Sequence, residues 1–341
     1  MDRRGFFARA GAAALFGGSG GALISLPRPA RAGTTTVVEQ FDWIASSRFL
    51  GEVVARALGF FEEEGIDLRI ALGGPTNTGV ASVASGSATL GLLSSSPTLM
   101  AARSGGIPIK CIAAGFQRHP LTFFSLAKNP IRTARDMRGK RIGIVKPGFN
   151  LVRALLSVND IPEKDVQIVA LGGDVAPLFS GQVDAISGWA TDATKLKPLG
   201  PDRVALPLWD TGVKLYANPY YATDMMLGRH PELVAGFIAA TARGWAAARE
   251  QPEQAIDHLI KAYPMLDRDA EMASVGVALS YVFTPETAAS GWGAMKPDIW
   301  GGQIRVFQDI GQFDGGSVPT IDDVMTMAVL DATAAKRPRL G

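Results

Sequence analysis

Apolar residues at positions 66, 68, 70 and 72 recur at every second place, the period of a β-strand. Immediately upstream the period changes: Phe49, Leu50, Val53, Val54, Ala57, Phe60 and Phe61 recur at helical spacing until Gly65 stops the helix. The same reading gives a strand from Thr36 to Phe41, then helix, strand and helix from Val80 to Arg103. In the last of these, Ser96 is placed as N-cap and Pro97 as the first helical residue. A strand from Ile109 to Ala114 closes the series. Further strands are predicted at Thr122 to Leu126, Arg141 to Val145, Val166 to Leu171, Ala185 to Trp189 and Arg203 to Trp209, with a helix opening at Gly148-Phe149-Asn150. Beyond a returning segment from Gly212 to Thr223, helices begin at Pro231 and Pro252, the first holding Trp245 in its core. The rest looks helical to about Ala335, and 336–341 is expected to be a disordered tail.

One pattern occurs twice. Leu72-Gly73-Gly74, a helix led by Asn77, Ser85-Gly86 and the apolar run from Leu90 are matched by Leu171-Gly172-Gly173, a helix led by Asp174, Ser180-Gly181 and Ala185-Ile186. Two similar α/β units in one chain imply a cleft. The expected fold is a two-lobed α/β clamshell, each lobe a mainly parallel sheet flanked by helices. The first lobe takes 33–117 with 220–335, the second 123–213, and the crossovers 118–122 and 214–219 form the hinge.

Composition then narrows the setting. The 341 residues suffice for two cores, and 47% are apolar. A formal net charge of +2 with scattered basic residues gives no footprint for nucleic acid. At the N-terminus, Arg3-Arg4 precedes a weakly apolar stretch from Ala8 to Leu26 and the small-residue pattern Ala30-Arg31-Ala32. This looks like a twin-arginine export signal over 1–32, cleaved near Ala32, with an ordinary secretory signal as the alternative. No later run has the roughly 18 apolar residues of a membrane span, so a soluble periplasmic protein is expected. The lone Cys111 lies in an apolar strand and is read as a buried core thiol.

The order of elements, together with Arg135-Asp136-Met137-Arg138-Gly139-Lys140-Arg141-Ile142-Gly143-Ile144, Leu178-Phe179-Ser180-Gly181-Gln182-Val183-Asp184-Ala185 and His230-Pro231-Glu232-Leu233-Val234-Ala235-Gly236-Phe237, resembles the nitrate/sulfonate/taurine-type periplasmic binding proteins of ABC importers. Phe41-Asp42-Trp43 with Gly51, and the segment from Tyr216 to Thr223, resemble its branch that binds thiamine-pyrimidine precursors and related heteroaromatics. Where that branch has an Asn- and His-containing loop, this chain has Ile44-Ala45-Ser46-Ser47-Arg48. The resemblance implies a type II periplasmic-binding-protein fold, no cofactor, a monomer, and an inner-membrane permease with its ATPase as partners. The implied ligand is a small heteroaromatic or anionic aromatic solute, with an alkyl sulfonate, taurine or a nitrate-like anion as the alternative. A periplasmic sensor on the same fold is the second functional reading.

Ligands of open α/β sheets bind outside the carboxyl ends of the strands. That rule selects Asp42, Trp43, Asn77, Ser94, Ser95 and Ser96 in the first lobe, and Lys146, Phe149, Asn150, Asp174, Trp189 and Asp192 in the second. Trp43 and Trp189 are expected to face each other across the cleft and sandwich a ring. Asn77, Ser96 and Asp174 also have the plainer role of helix caps. Arg48 and Lys146 are the cations placed to meet an acidic group, and Tyr220 or Tyr221 on the returning segment is placed to face the cleft. An enzyme is disfavoured: His119, His230 and His258 are far apart, and no nucleophile elbow, phosphate loop or Cys-His cluster occurs.

Overall fold

The structure is a computed structural model that describes residues 33–74 and 79–341. The export-signal reading and Asn77 therefore lie outside the described residues. Among the described residues, ten strands form two five-stranded sheets. The first joins β1 (Thr35–Phe41), β2 (Ile66–Ala71), β3 (Leu90–Leu92), β4 (Ile109–Phe116) and β10 (Ala217–Thr223) in the order β2-β1-β3-β10-β4. The second joins β5 (Leu121–Ser125), β6 (Arg141–Ile144), β7 (Gln167–Ala170), β8 (Ala185–Trp189) and β9 (Val204–Pro207) in the order β7-β6-β8-β5-β9.

The two orders are the same arrangement. In each sheet the first three strands run parallel, and the strand arriving from the other sheet, β10 or β5, inserts antiparallel to its neighbours. A chain that crosses between lobes enters the sheet from the cleft end, so its strand must run against the others. Four of the five strands in each sheet thus run the same way, so each sheet is mainly parallel, as expected, and is made mixed by the one reversed strand.

The repeated sequence pattern maps onto equivalent places. Its helices are Val80–Ala84 and Ala176–Phe179, each leading into the middle strand of its sheet, β3 or β8. Gly86 and Gly181 follow them with φ of 79° and 71°, the left-handed conformation that favours glycine after a helix.

In the first lobe the helix Leu50–Ala57 packs on Pro231–Glu250 and carries Gly51 into the contact. A Cβ there would stand 2.1 Å from Cδ1 of the fully buried Trp245, so only glycine lets the helices meet. Gly59, with φ of 81°, ends that helix two residues past Ala57; the single helix expected through Phe61 is two pieces. After Pro207 the expected strand turns into a 3-10 segment, Leu208–Thr211.

The tail is ordered, contrary to the expectation. Arg337 is buried and its guanidinium donates to the carbonyls of Trp292 (2.6 Å) and Leu330 (3.0 Å), while Thr287 Oγ1 donates to the Leu340 carbonyl (2.6 Å). A planar fork that satisfies two main-chain carbonyls holds a basic tail that composition alone would leave in water. Cys111 is buried, with its thiol pKa raised by desolvation. Among the described residues no helix is long and apolar enough to cross a membrane.

Candidate functional site

Phe41 at the end of β1 stacks on Phe49 with centroids 4.2 Å apart, and this pins the intervening loop across the carboxyl end of the first sheet. The loop begins with Asp42 and ends with Arg48. Asp42 N donates to Leu92 O (3.0 Å), and its Oδ2 accepts the amide hydrogen of Ser94 from the loop after β3. Arg48 Nη2 donates to Ser94 Oγ (3.2 Å) and to Asn218 Oδ1 (3.1 Å), while Asn218 Nδ2 returns a bond to the Arg48 carbonyl (3.1 Å). Ser94 thus ties the acid to the base, and β10 braces the base from behind.

Arg48 then reaches the other lobe. Its guanidinium carbon lies 3.8 Å from the ring centroid of Trp189 at the end of β8. On the first crossover, His119 sits with its ring 5.2 Å from Trp189 at an interplanar angle of 57°. Its Nδ1 accepts from Leu121 N (3.1 Å), so the ring hydrogen is on Nε2 and is donated to Ser95 Oγ (3.1 Å). Asp192, after β8, pairs with Lys195 (3.3 Å) and acts electrostatically on Arg48.

Burial dominates the titration of this cluster. Desolvation lowers the Arg48 pKa to about 10, against the pull of Asp42 and Asp192, and the group stays charged at neutral pH. Desolvation raises the Asp42 value, opposed by Arg48 and the Ser94 bonds. His119 is pushed down to about 3 by burial and then by Arg48, which keeps its ring neutral. Two buried polar atoms flank Ser94 with no partner among the described residues: the acceptor Asp42 Oδ1 and the donor Arg48 Nε. Such atoms cost free energy unless a ligand or water meets them.

The structure gathers Asp42, Arg48, Ser94, Ser95, Trp189 and Asp192 in one place. Trp43 adjoins them, 40% exposed and without a ring partner among the described residues, but it is not paired with Trp189, whose neighbours are Arg48 and His119. Asn150 donates to Gln312 Oε1 (3.2 Å) and so bridges to the first lobe at a different point, with Phe149 packed beside it against the core. Lys146 is exposed after β6, and Asp174, one residue ahead of the N-cap Val175, accepts from Ala176 N (3.0 Å); neither bonds to the cluster.

Two expected site residues belong elsewhere. Tyr220 is fully buried between Trp292 and Phe237, with its hydroxyl donated to Glu52, and Tyr221 is equally buried, so neither lines an open cleft. Ser96 is the first helical residue, Ser95 holding the N-cap position, and its hydroxyl donates inward to Gln303 Oε1 (2.6 Å). Sequence reasoning missed His119 and Asn218. The Ala-Asn-Pro triplet at 217–219 was the available signal: Asn218 takes a φ of 49°, which asparagine tolerates better than most residues.

Two sheets of matching topology, each with an inserted reversed strand, and a polar cluster shared between them define a solute-binding clamshell. The chain belongs to the NMT1/THI5 like family, whose profile matches residues 46–255. It is 26% identical over 280 residues to the riboflavin-binding protein RibY of Chloroflexus aurantiacus, covering 76% of each chain. It is 27% identical over 231 residues to the 4-amino-5-hydroxymethyl-2-methylpyrimidine phosphate synthase of Legionella pneumophila, covering 66% of this chain and 73% of that one. Among solved structures, the periplasmic aliphatic sulphonate binding protein SsuA of Escherichia coli superposes with a TM-score of 0.64 at 17% identity, covering 84% of this chain and 91% of that one. The type II periplasmic-binding-protein fold expected from sequence is thus present.

Proposed function

We propose that this protein is the exported solute-binding subunit of an ABC importer and that it clasps a flat, neutral heteroaromatic solute between its lobes. The observation that carries the reading is the pair of unpartnered buried atoms, Asp42 Oδ1 and Arg48 Nε, beside Ser94. An acceptor and a donor within one cluster match a ring edge that presents an N–H and a carbonyl or ring nitrogen. The exposed Trp43 supplies a face for the ring.

Arg48 suggested an acidic ligand from sequence, but its surroundings favour a neutral one. Its charge is met by Asp42 and Asp192, and its flat face by Trp189, so little positive potential is left over for an anion. Relatives named for riboflavin binding and for pyrimidine phosphate synthesis agree with a heterocycle. Binding is favoured over catalysis because the one thiol is buried with a raised pKa and His119 is locked between Ser95 and Leu121.

Lobe boundaries at 33–117 with 220–335 and at 123–213, hinged at 118–122 and 214–219, complete the proposal, with export by the leader at 1–32 and a permease and ATPase as partners. A thermal-shift screen tests it, because a ligand that binds only the folded state raises apparent stability. Flavins and aminopyrimidines are expected to raise the transition temperature of the mature chain; stabilisation by alkyl sulfonates alone would overturn the neutral reading.

A further inference from the structure

A cavity of about 260 Å³ lies at the crossovers, apart from the Arg48 cluster. Arg118 follows β4 on the first crossover, Tyr216 immediately precedes β10 on the second, Trp209 comes from the 3-10 segment after β9, and Ile299 from the helix Pro297–Asp309. Its size is roughly that of eight or nine waters, just below the usual range of small-molecule sites.

The exposed Arg118 and the Tyr216 hydroxyl are donors in its wall that lack a protein acceptor among the described residues, while Gln117, Thr284 and Lys296 are already bonded. Arg118 makes no hydrogen bond or ion pair among the described residues; its nearest ring contact is Tyr281, with 6.0 Å from guanidinium carbon to centroid. Tyr216 is buried and its hydroxyl accepts from Lys296 N (3.0 Å), but the hydroxyl hydrogen has no acceptor among the described residues. The one carboxylate in the wall, Glu286, is already held by Lys296 (3.1 Å). Lys214 is occupied by the Trp209 carbonyl (2.7 Å), with its ammonium 4.7 Å from the Trp209 ring centroid. Asp210 and Arg118 both act on Lys214, in opposite senses, and neither is ion-paired among the described residues.

We propose that this cavity is a second ligand site that takes a small aromatic carboxylate, its acid group on Arg118 and the Tyr216 hydroxyl and its ring against Trp209 and Ile299. The walls come from both crossovers, so occupancy and lobe closure are thermodynamically linked.

Benzoate is the probe, with benzamide as its uncharged counterpart, each titrated against the full chain by ligand-observed NMR. Saturable benzoate binding is expected at millimolar concentration. Benzamide should bind about tenfold more weakly, and Arg118→Ala should lose about the same factor for benzoate. Trp43→Ala should leave benzoate binding unchanged. Absence of saturable binding, or binding that survives Arg118→Ala, overturns the site. Binding abolished by Trp43→Ala overturns it as well and places benzoate in the cleft. For the linkage, benzoate should alter the radius of gyration of the parent but not of Arg118→Ala; identical scattering with and without benzoate refutes it.

Discussion

Arg48 enters the cleft under restraint from both lobes: Ser94 and Asn218 hold one end of its fork, and Trp189 lies under its face. Trp43 has no such restraint and is the aromatic surface open to a ligand. Trp43→Ala is therefore expected to weaken binding of the ligand found by thermal shift by about 1–3 kcal/mol in calorimetry, with an unchanged melting temperature. An unaltered dissociation constant would remove the stacking role. Asp42, Trp43 and Ser94 were legible in the sequence because each follows a strand end, and topology assigns strand ends to the cleft. Tyr220 and Ser96 were not, because which face of β10 or of a helix turns inward depends on partners far along the chain: Glu52 for one, Gln303 for the other. His119 was set aside for want of a metal-ligand spacing, yet its part is to hold the crossover against Ser95 beside Trp189.

At the scale of elements, the helix Leu50–Ala57 packs a carboxyl against the first sheet. Glu52 and Glu39 of β1 are both fully buried; Glu52 accepts from Tyr220, and neither Glu39 oxygen has a partner among the described residues. Burial raises the Glu52 pKa to about 7 and that of Glu39 well above its ordinary value, the latter reinforced by repulsion from Glu52. A carboxyl with a raised folded-state pKa binds more protons folded than unfolded. Stability is then fullest below the ordinary value of 4.5, falls as pH rises toward 7, and levels off above it where Glu52 is concerned. Asp184, whose pKa is lowered, with desolvation opposed by its Arg141 bonds, acts in the opposite sense but below the ordinary Asp range, so the two windows separate. Denaturant melts from pH 5 to pH 7 should show the parent losing stability, by on the order of 1.4 kcal/mol per pH unit at most for each of the two acids. Glu52→Gln should flatten that slope and be the more stable protein at pH 7. A parent whose stability is level or rising across this range would refute the buried-acid account. Helical and strand periods were visible in this region, but the meeting of two acids was not, since each looks from sequence like an ordinary surface charge.

At the scale of the molecule, the contacts that join the lobes away from the hinge among the described residues include Arg48 on Trp189, Ala193 N to Ser274 Oγ (3.4 Å), and Asn150 to Gln312 (3.2 Å). The duplicated strand-and-helix pattern disclosed two lobes, but not these bridges, which pair residues 81 and 162 positions apart in the last two cases. Such contacts favour the closed form before any ligand arrives, and a ligand touching both lobes favours it further. Apparent affinity scales with the fraction of protein already competent to bind. Combining Ser274→Ala with Gln312→Ala should therefore open the free protein and weaken binding several-fold, with the same closed complex at saturation. Both side chains lie outside the Arg48 cluster, so a loss of affinity would report the lobe equilibrium rather than a lost ligand contact. Small-angle scattering distinguishes the cases. The double variant should be more extended than the parent without ligand and should contract to the parent's dimensions with it. If its curve matches the parent's in the free state and does not change on saturation, the lobes do not open and close about this cleft.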